Sequence, residues 1–511
     1  MKLILDKFNL INHLRLIILL SLLLTTSYCL FKYGIYVHFD EFVGRGLYPG
    51  LAFFNGFDLY EPKTGPHITL YGWGMALFYF LSGFATTPQV AIFIAYSLNL
   101  STFIFLAYIL FYNYLYHSIN CKKEIFVISS LIVISLISLS ATNSTTDTLF
   151  KIHADYPALF FLLAGTYSFI KYSQNRLNIL LLVTAIFYTL SYNSKLPTLP
   201  IVLIPFIILI TLRSFRPSLI YIGYLFLSSS FALLIPSYFY GFHDMKFILI
   251  DHISTAPWSV RSNLFDGTDG YVKKMGYIEA IPLLFRYFVM YLQEFWHLIL
   301  TCFFTLFLSF SPKIHIQKKV FLRIFSLLYF FTLPPCLSAI AHFGGVHNSL
   351  FFCNIIGLFL FFLFLIELSR NLLSMIPFKL FYISLSSVLI LPFLRQSLAI
   401  NHSYSTSDSP HQQAYNYLIE GNNDIYFGWY PISHLLANNQ NVSCIEVPTW
   451  AGMTKPDEIN FSLSHFPPKA KFLATSPTGY GTTALLQYLG PLEEVQTMKC
   501  LSNWRLYKIK E

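Results

Sequence analysis

The sequence predicts a mainly helical membrane protein: a polytopic bundle of about eleven transmembrane helices, followed by a small α/β domain outside the membrane. Hydrophobic residues make up 55% of the 511 residues and charged residues only 11%, which excludes an ordinary soluble globular protein. Apolar runs long enough to cross a bilayer recur along the first part of the chain, and a polar stretch follows them. We therefore divide the chain into a transmembrane domain, 1–397, and an extracytoplasmic tail domain, 398–511.

The basic residues predict the orientation of the bundle. Lys2, Lys7 and Arg15 precede the first apolar run, 16–36, which places the N-terminus in the cytoplasm. That run is longer than the apolar part of a secretory signal and lacks a small-residue cleavage site, so we expect an uncleaved anchor in the plasma (inner) membrane. The net charge of +9 is scattered over short loops between helices, which indicates topology and argues against nucleic acid as a partner.

The aromatic stretch 68–84 determines the sidedness of every later loop. It is short and contains several glycines, which favours a helix lying in the membrane interface over one that spans. With that choice the basic loops between later helices fall in the cytoplasm, and the long loops 37–67, 140–156 and 239–284 lie outside. A span at 68–84 would reverse every later loop and move the tail inside.

The other predicted elements follow in order. Further spans are expected at 88–116, 125–139, 157–172, 177–192, 196–212, 218–238, 285–310, 320–342, 349–367 and 372–394. In the tail, strands are expected at 424–427, 442–447, 471–474 and 498–508, with helices such as 431–438 and 482–489 between them. Alternating strands and helices are typical of a small α/β domain.

An adjacent pair of acids, Asp40 and Glu41, follows the first span at the outer membrane boundary. Neighbouring carboxylates at that boundary repel each other unless a cation, a metal ion or a proton transfer gives them a use. Two solvated loop acids are the simpler interpretation, and composition alone does not decide between the two.

A second group of ionisable residues lies where the predicted span 157–172 begins. Lys151, His153 and Asp155 lie within the six residues before Pro157. Proline in the first turn of a helix places Asp155 near the positive end of the helix dipole, so this residue could serve only as a cap. Capping does not explain the lysine and the histidine beside it, and we therefore favour a functional role.

Two basic residues are candidates for binding a phosphate group. Lys195 lies at the outer ends of two predicted spans, and Arg261 lies in the outer loop 239–284. A lysine that only extends to the interface and an arginine that is only solvated are the simpler interpretations. His347, beside a glycine turn at the outer face, is a further candidate for contact with substrate. The sequence contains no nucleotide-binding or soluble-hydrolase signature.

These segments resemble the GT-C superfamily of integral-membrane glycosyltransferases, especially protein O-mannosyltransferases and aminoarabinose-type lipid A transferases. The resemblance rests on the acid pair, on the Gly-x-Asp-Leu-Tyr and Gly-Pro motifs within 56–66, on the aromatic helix after them, and on the His-x-Asp-x-Pro motif at 153–157. It covers the chain to about residue 200.

The resemblance implies transfer of a sugar from a polyprenyl-phosphate donor to a lipid, glycan or protein acceptor on the non-cytoplasmic face. It implies Asp40 as the general base and Glu41 as an orienting or second acid. Asp155 and His153 would contact the acceptor or a divalent metal ion, and Lys195 with Arg261 would bind the donor phosphate. Tyr60 and His347 would line the substrate site.

Two other functions stay open from the sequence. A transporter or flippase of lipid-linked saccharides would place ionisable groups near the middle of the bilayer, often beside broken helices, whereas here they cluster at the outer ends. A polymerase or ligase of lipid-linked saccharides would share the donor and need basic residues in one large outer loop, for which 239–284 is the candidate.

The seven cysteines match no zinc-site spacing. Most lie in or beside apolar segments, where cysteine packs as a small hydrophobic residue. Cys444 and Cys500 instead lie in the polar tail, and we expect them to form a disulfide if the tail faces an oxidising compartment.

Overall fold

A computed structural model describes residues 41–57, 59, 72–117, 119, 122–142, 152–240, 258–260, 271–273, 275–342, 347–372, 410–440, 442, 469–475, 493–495 and 504–508. Over these residues the chain is mainly helical, as predicted. Three predicted features lie outside the described residues: the first span, 16–36, most of the last span, 372–394, and both cysteines of the tail disulfide.

The described helices are numbered here in chain order. They are α1 (Glu41–Phe54), α2 (Trp73–Tyr79), α3 (Pro88–Tyr116), α4 (Lys122–Thr142), α5 (Asp155–Asn175), α6 (Asn178–Ser194), α7 (Ile204–Thr211), α8 (Phe215–Tyr240), α9 (Ile281–Leu308), α10 (Ile316–Ala341), α11 (Phe351–Leu372), α12 (Pro410–Ile419) and α13 (Pro431–Asn438). Short 3-10 helices follow α2 and precede α7 and α11, at Phe80–Phe84, Leu196–Leu203 and His347–Leu350.

Six of the described helices are long and apolar enough to cross a membrane. Their membrane-crossing segments are Pro88–Tyr116, Lys122–Ser140, Phe215–Tyr238, Ile281–Leu308, Ile316–Ala341 and Phe351–Ser369. The predicted spans 177–192 and 196–212 correspond to shorter apolar helices, Asn178–Ser194 and Leu196–Thr211. The six long helices agree with a membrane protein, and the count of about eleven spans stays a prediction.

The described part of the stretch 68–84 is a short helical segment. It has seven α-helical residues and five residues in a 3-10 turn. Such a segment is about 20 Å long, which is short of the roughly 30 Å of a bilayer core. Met75 and Tyr79 are buried, whereas Leu81 and Phe84 are exposed. A short helix with an exposed apolar side is typical of the membrane interface, and the sidedness of the later loops stays a prediction.

Helices α5 and α6 form the hairpin that positions the candidate site. Arg176, in the left-handed conformation (φ 56°), ends α5, and α6 begins two residues later. The hydroxyl groups of Thr166 and Tyr188 lie 3.1 Å apart, and the hydroxyl of Ser191 donates to the carbonyl of Ala158 at 2.8 Å. These two buried hydrogen bonds, one between side chains and one to a backbone carbonyl, fix how far one helix is shifted along the other.

The described strands form a hairpin and a small mixed sheet. Strands β1 (Trp258–Val260) and β2 (Tyr271–Lys273) pair antiparallel. In the tail, the sheet order is β3-β4-β6-β5, with β3 (Ile425–Phe427) parallel to β4 (Phe472–Thr475) and with β6 (Arg505–Lys508) antiparallel to its neighbours β4 and β5 (Glu493–Val495). Strand β5 was not predicted, most of the predicted strand 442–447 lies outside the described residues, and the extent of the α/β domain stays a prediction.

The tail packs directly on α1. Ile432 and Leu435 of α13 join the buried cluster that contains Leu47 and Leu51 of α1. The amide of Val442 donates to the buried hydroxyl of Tyr48 at 2.8 Å. The tail therefore rests on the helix whose first residue is Glu41.

The stability of the tail sheet is expected to fall between pH 6.5 and pH 3. Burial lowers the pKa of His434 from 6.5 to about 3, against an opposing contact with Gln440. Its Nε2 accepts from the amide of Phe427 at 3.0 Å, so the ring is neutral in the folded protein. Below pH 6.5 His434 binds a proton in the unfolded chain but not in the folded one. This difference lowers the free energy of unfolding by about 2 kcal/mol at pH 5.

Amide exchange of Phe427 in the full-length protein measures this loss, after correction for the intrinsic exchange rate at each pH. The control is His434→Gln, which keeps an acceptor but does not titrate. Equal pH dependence in the wild type and this variant would contradict the assignment.

Candidate functional site

The structure joins three of the sequence-predicted site residues into one buried ionic group, which we call the Asp155 cluster: His153, Asp155 and Lys195. The Asp155 side chain is fully buried, and the side chains of His153 and Lys195 are 7% and 13% exposed. Lys195 Nζ lies 2.5 Å from Asp155 Oδ1, and His153 Nδ1 contacts Asp155 Oδ2. One carboxylate thus holds a lysine and a histidine, each on its own oxygen.

The lengths of two helices explain why residues forty positions apart in the sequence meet. Asp155 is the first residue of α5, and Lys195 directly follows the last residue of α6. At 1.5 Å per residue, α5 runs for about 30 Å and the return along α6 for about 25 Å. The far ends of this antiparallel pair therefore lie together, and Lys195, in an extended conformation (φ −154°), turns into the 3-10 helix that precedes α7.

Two glycines let the backbones of α1 and α2 approach the cluster. A Cβ atom at Gly46 of α1 would lie 2.2 Å from the carbonyl oxygen of Ile152, the residue before His153. A Cβ atom at Gly72 would lie 1.8 Å from the carbonyl oxygen of Asn193, two residues before Lys195. Any side chain at either position would displace backbone, so glycine is required for this packing. The backbones of both segments consequently pack against residues that neighbour the Asp155 cluster in the chain.

Charge compensation governs the protonation of Asp155. Burial alone raises the pKa of its carboxyl, but the charges of Lys195 and His153 outweigh burial and bring that pKa down to about 2. The carboxylate therefore stays ionised at neutral pH. A buried carboxylate with a lysine on one oxygen and a histidine on the other is an arrangement found at functional sites and in structural ion pairs alike.

The other predicted site residues are only partly described. Asp40, Tyr60 and Arg261 lie outside the described residues, as does Lys151. Glu41 is the first residue of α1, and His347 begins the 3-10 helix His347–Leu350. In the part of the chain that the structure describes, no three His, Cys, Asp or Glu side chains are grouped as a metal-ion site.

A second buried ion pair, which was not predicted from the sequence, joins Lys318 of α10 to Glu367 of α11. Their side chains are 1% and 2% exposed, and Nζ lies 2.6 Å from Oε1. The hydroxyl of Tyr114, at the end of α3, donates to the same oxygen at 2.9 Å, and the ammonium lies 4.9 Å from the Tyr114 ring centre. In the sequence, Lys318 resembles the basic residues of a cytoplasmic loop, so it does not indicate a buried pair. Glu367 could have indicated one, because it is an acid inside an apolar helix.

The long helix α9 carries polar residues at its middle. Glu294 and His297 are both exposed there, and Phe295 between them departs from helical geometry (φ −122°, ψ 22°). A kink at this point opens the hydrogen-bond ladder of the helix. In a helix that crosses a membrane, ionisable groups at the middle are costly.

Comparison with known proteins gives no assignment for this chain. No protein-family model matches it, and no curated protein matches it. The chemistry of the site therefore rests on its own residues.

Replacing Gly46 by alanine is expected to disrupt the Asp155 cluster. The new Cβ atom would overlap the Ile152 carbonyl group, so α1 or residues 152–153 must move, at a cost of about 1–3 kcal/mol. Thermal unfolding of the purified protein measures this change. Gly223→Ala in α8 is the matched control, because no atom lies within 4 Å of its added Cβ. Equal stability of the two variants would contradict the close contact.

Proposed function

We propose that the protein is a membrane glycosyltransferase that moves a sugar from a polyprenyl-phosphate donor to an acceptor on the non-cytoplasmic face. The observation that carries the proposal is the Asp155 cluster, in which a fully buried carboxylate holds a lysine ammonium and a histidine ring at one end of a helix bundle. Positive charge held in a water-poor site stabilises a developing anion far better than it does in water.

The reaction produces an anion that such a site suits. The acceptor hydroxyl oxygen forms a bond to the anomeric carbon, and the bond from that carbon to the phosphate oxygen breaks. The electron pair leaves with the polyprenyl phosphate, and the hydroxyl proton passes to a base. The Lys195 ammonium has three N–H donors, and one of them points to Asp155. We assign its other N–H groups and the His153 ring to the phosphate. Asp155 positions Lys195 and His153 for this contact.

The base is assigned to the acid pair. Gly46 lies against Ile152, and Glu41 is five residues earlier in α1, about 7.5 Å along the helix axis. Asp40 directly precedes Glu41 in the sequence. In this proposal Asp40 takes the acceptor proton and Glu41 orients the acceptor. Asp155 and His153 as ligands of the acceptor or of a divalent metal ion are the alternative role, which chelation in the transfer assay tests.

The rest of the predicted organisation belongs to the same proposal. The bundle has about eleven spans, with the N-terminus in the cytoplasm and the tail outside. Arg261 assists at the donor phosphate, and Tyr60 and His347 line the substrate site. The acceptor is a lipid, a glycan or a protein.

One observation favours a second candidate function, the transport of a lipid-linked saccharide. Glu294 and His297 lie at the centre of α9 beside the non-helical Phe295, and transporters use interrupted helices with polar groups near the middle of the membrane. Transport would move the donor without breaking the sugar–phosphate bond. A variant at Glu294 therefore distinguishes transport from sugar transfer.

The test measures release of polyprenyl phosphate and glycosylation of acceptor by purified protein in detergent, where transport has no readout. Asp40→Asn is expected to lower the rate by about 10²–10⁴-fold, the usual contribution of a general base, and Glu41→Gln by less. Glu294→Gln is the matched control, since it also neutralises one acid and should retain transfer. Near-wild-type transfer by the double variant Asp40→Asn/Glu41→Gln would overturn the assignment. Saccharide movement across proteoliposomes that fails in Glu294→Gln, without any transfer, would establish transport instead.

A further inference from the structure

A second polar group lies at the opposite end of α5 from Asp155. It joins the ends of three helices, and we call it the His117 cluster: Asn113 and His117 at the end of α3, Lys171 and Gln174 near the end of α5, and His315 directly before α10. Lys171 is sixteen residues after Asp155 in α5, which is about 24 Å along the axis. The cluster is therefore separate from the proposed transfer site.

The cluster is held by contacts between donors and amide oxygens. Lys171 Nζ donates to Gln174 Oε1 at 3.2 Å and to Asn113 Oδ1 at 3.4 Å. Gln174 Nε2 donates to Asn113 Oδ1 and lies 3.4 Å from His117 Nε2. The His117 and His315 rings stack with their centres 5.6 Å apart and 9° between their planes.

Hydrogen-bond donors in this cluster exceed the acceptors. Asn113 is 6% exposed, and its buried Nδ2 has no hydrogen-bond partner in the described part of the chain. Within the same residues, Lys171 contacts two amide oxygens and forms no ion pair with a carboxylate. The nearby acid Glu367 is engaged by Lys318 and Tyr114. A buried donor without a partner is costly, and an anion would satisfy it.

The charged groups around the His117 cluster are positive, which also favours an anion. Burial and the neighbouring His315, Lys171 and Lys318 all lower the pKa of His117, which describes an electropositive environment. His315 also directly precedes the first turn of α10, where backbone N–H groups point outward and favour negative charge.

We propose that the His117 cluster binds a phosphate group, as a monoester or diester, through Lys171, the Asn113 amide and the two stacked imidazoles. A phosphate oxygen accepts several hydrogen bonds at once, which matches an ammonium and an unpartnered amide presented side by side. The phosphate belongs either to the headgroup of an anionic phospholipid or to a soluble phosphate compound. The site is independent of the proposed transfer reaction.

The test uses the full-length protein in nanodiscs of zwitterionic phosphatidylcholine. Inorganic phosphate is titrated by calorimetry, and native mass spectrometry measures retention of added phosphatidylglycerol. Lys171→Gln is expected to weaken binding of the anion about tenfold, as for loss of one hydrogen bond to a charged group. Asn113→Asp is expected to weaken it by more, because it removes the amide donor and adds a negative charge beside the anion. Lys122→Gln is the matched control, because it removes the same charge from an exposed residue of neighbouring α4.

The outcomes separate the two sources of phosphate. Saturable binding of inorganic phosphate assigns a soluble ligand, and selective retention of phosphatidylglycerol without a phosphate response assigns a lipid headgroup. Either result supports the site if it is lost in Lys171→Gln and kept in Lys122→Gln. Equal loss in Lys122→Gln, or wild-type binding no tighter than that of Lys171→Gln in either assay, overturns it. The binding result for Asn113→Asp is compared with the wild type only if the variant has the elution volume of the folded wild-type protein in size-exclusion chromatography.

Discussion

Replacing Asp155 by asparagine is expected to lower sugar transfer by about 10²–10³-fold, the loss typical of removing one preorganised electrostatic contact. The variant keeps the size of the side chain but no longer fixes Lys195 and His153 on its two oxygens. The rate falls because the Lys195 ammonium and the His153 ring lose the geometry that presents them to the leaving phosphate. Release of polyprenyl phosphate at saturating donor measures the effect.

The same change leaves a nearly buried ammonium without its counter-ion, which costs about 3–5 kcal/mol and could itself inactivate the protein. The double variant Asp155→Asn/Lys195→Met removes both charges and is expected to regain most of the stability in thermal unfolding. It is not expected to regain transfer. A stable double variant with near-wild-type turnover would show that the Asp155 cluster is only structural.

Replacing Lys318 by methionine is expected to destabilise the bundle by about 3–5 kcal/mol, because the buried carboxylate of Glu367 would lose the ammonium that lies 2.6 Å from it. Tyr114→Phe removes one hydrogen bond to that carboxylate and should cost about 1–3 kcal/mol. Denaturant unfolding of the purified protein in one defined detergent compares these variants.

Two controls isolate the pair. Lys313→Met removes an exposed lysine just before α10 and should change stability by less than about 0.5 kcal/mol. Lys318→Met/Glu367→Leu replaces the pair by apolar side chains and should approach wild-type stability. A double variant as unstable as Lys318→Met alone would mean that packing, and not the loss of the ion pair, accounts for the change in stability.

Local pattern was enough to predict much of the architecture. An apolar run such as 88–116 must bury its backbone in a helix when it enters lipid, so hydropathy alone predicts α3. The group around Asp155 was also predictable, since ionisable residues beside an apolar run are costly without a role. The strand predicted at 424–427 was found as β3 because a short β-branched and aromatic run between turn residues is a local signal.

The pairing of these residues depends on tertiary structure. Lys195 meets Asp155 because α5 and α6 have similar lengths and are joined by a tight turn at Arg176, and no spacing in the sequence encodes that register. Glu367, Lys318 and Tyr114 belong to three different helices, and Tyr114 in α3 is distant in the chain from the other two. The sequence by itself determined which residues are too polar for their surroundings. Only the packing of the helices decided which opposite charge compensates each of them, because a buried charge is satisfied by whatever group lies within a few ångströms.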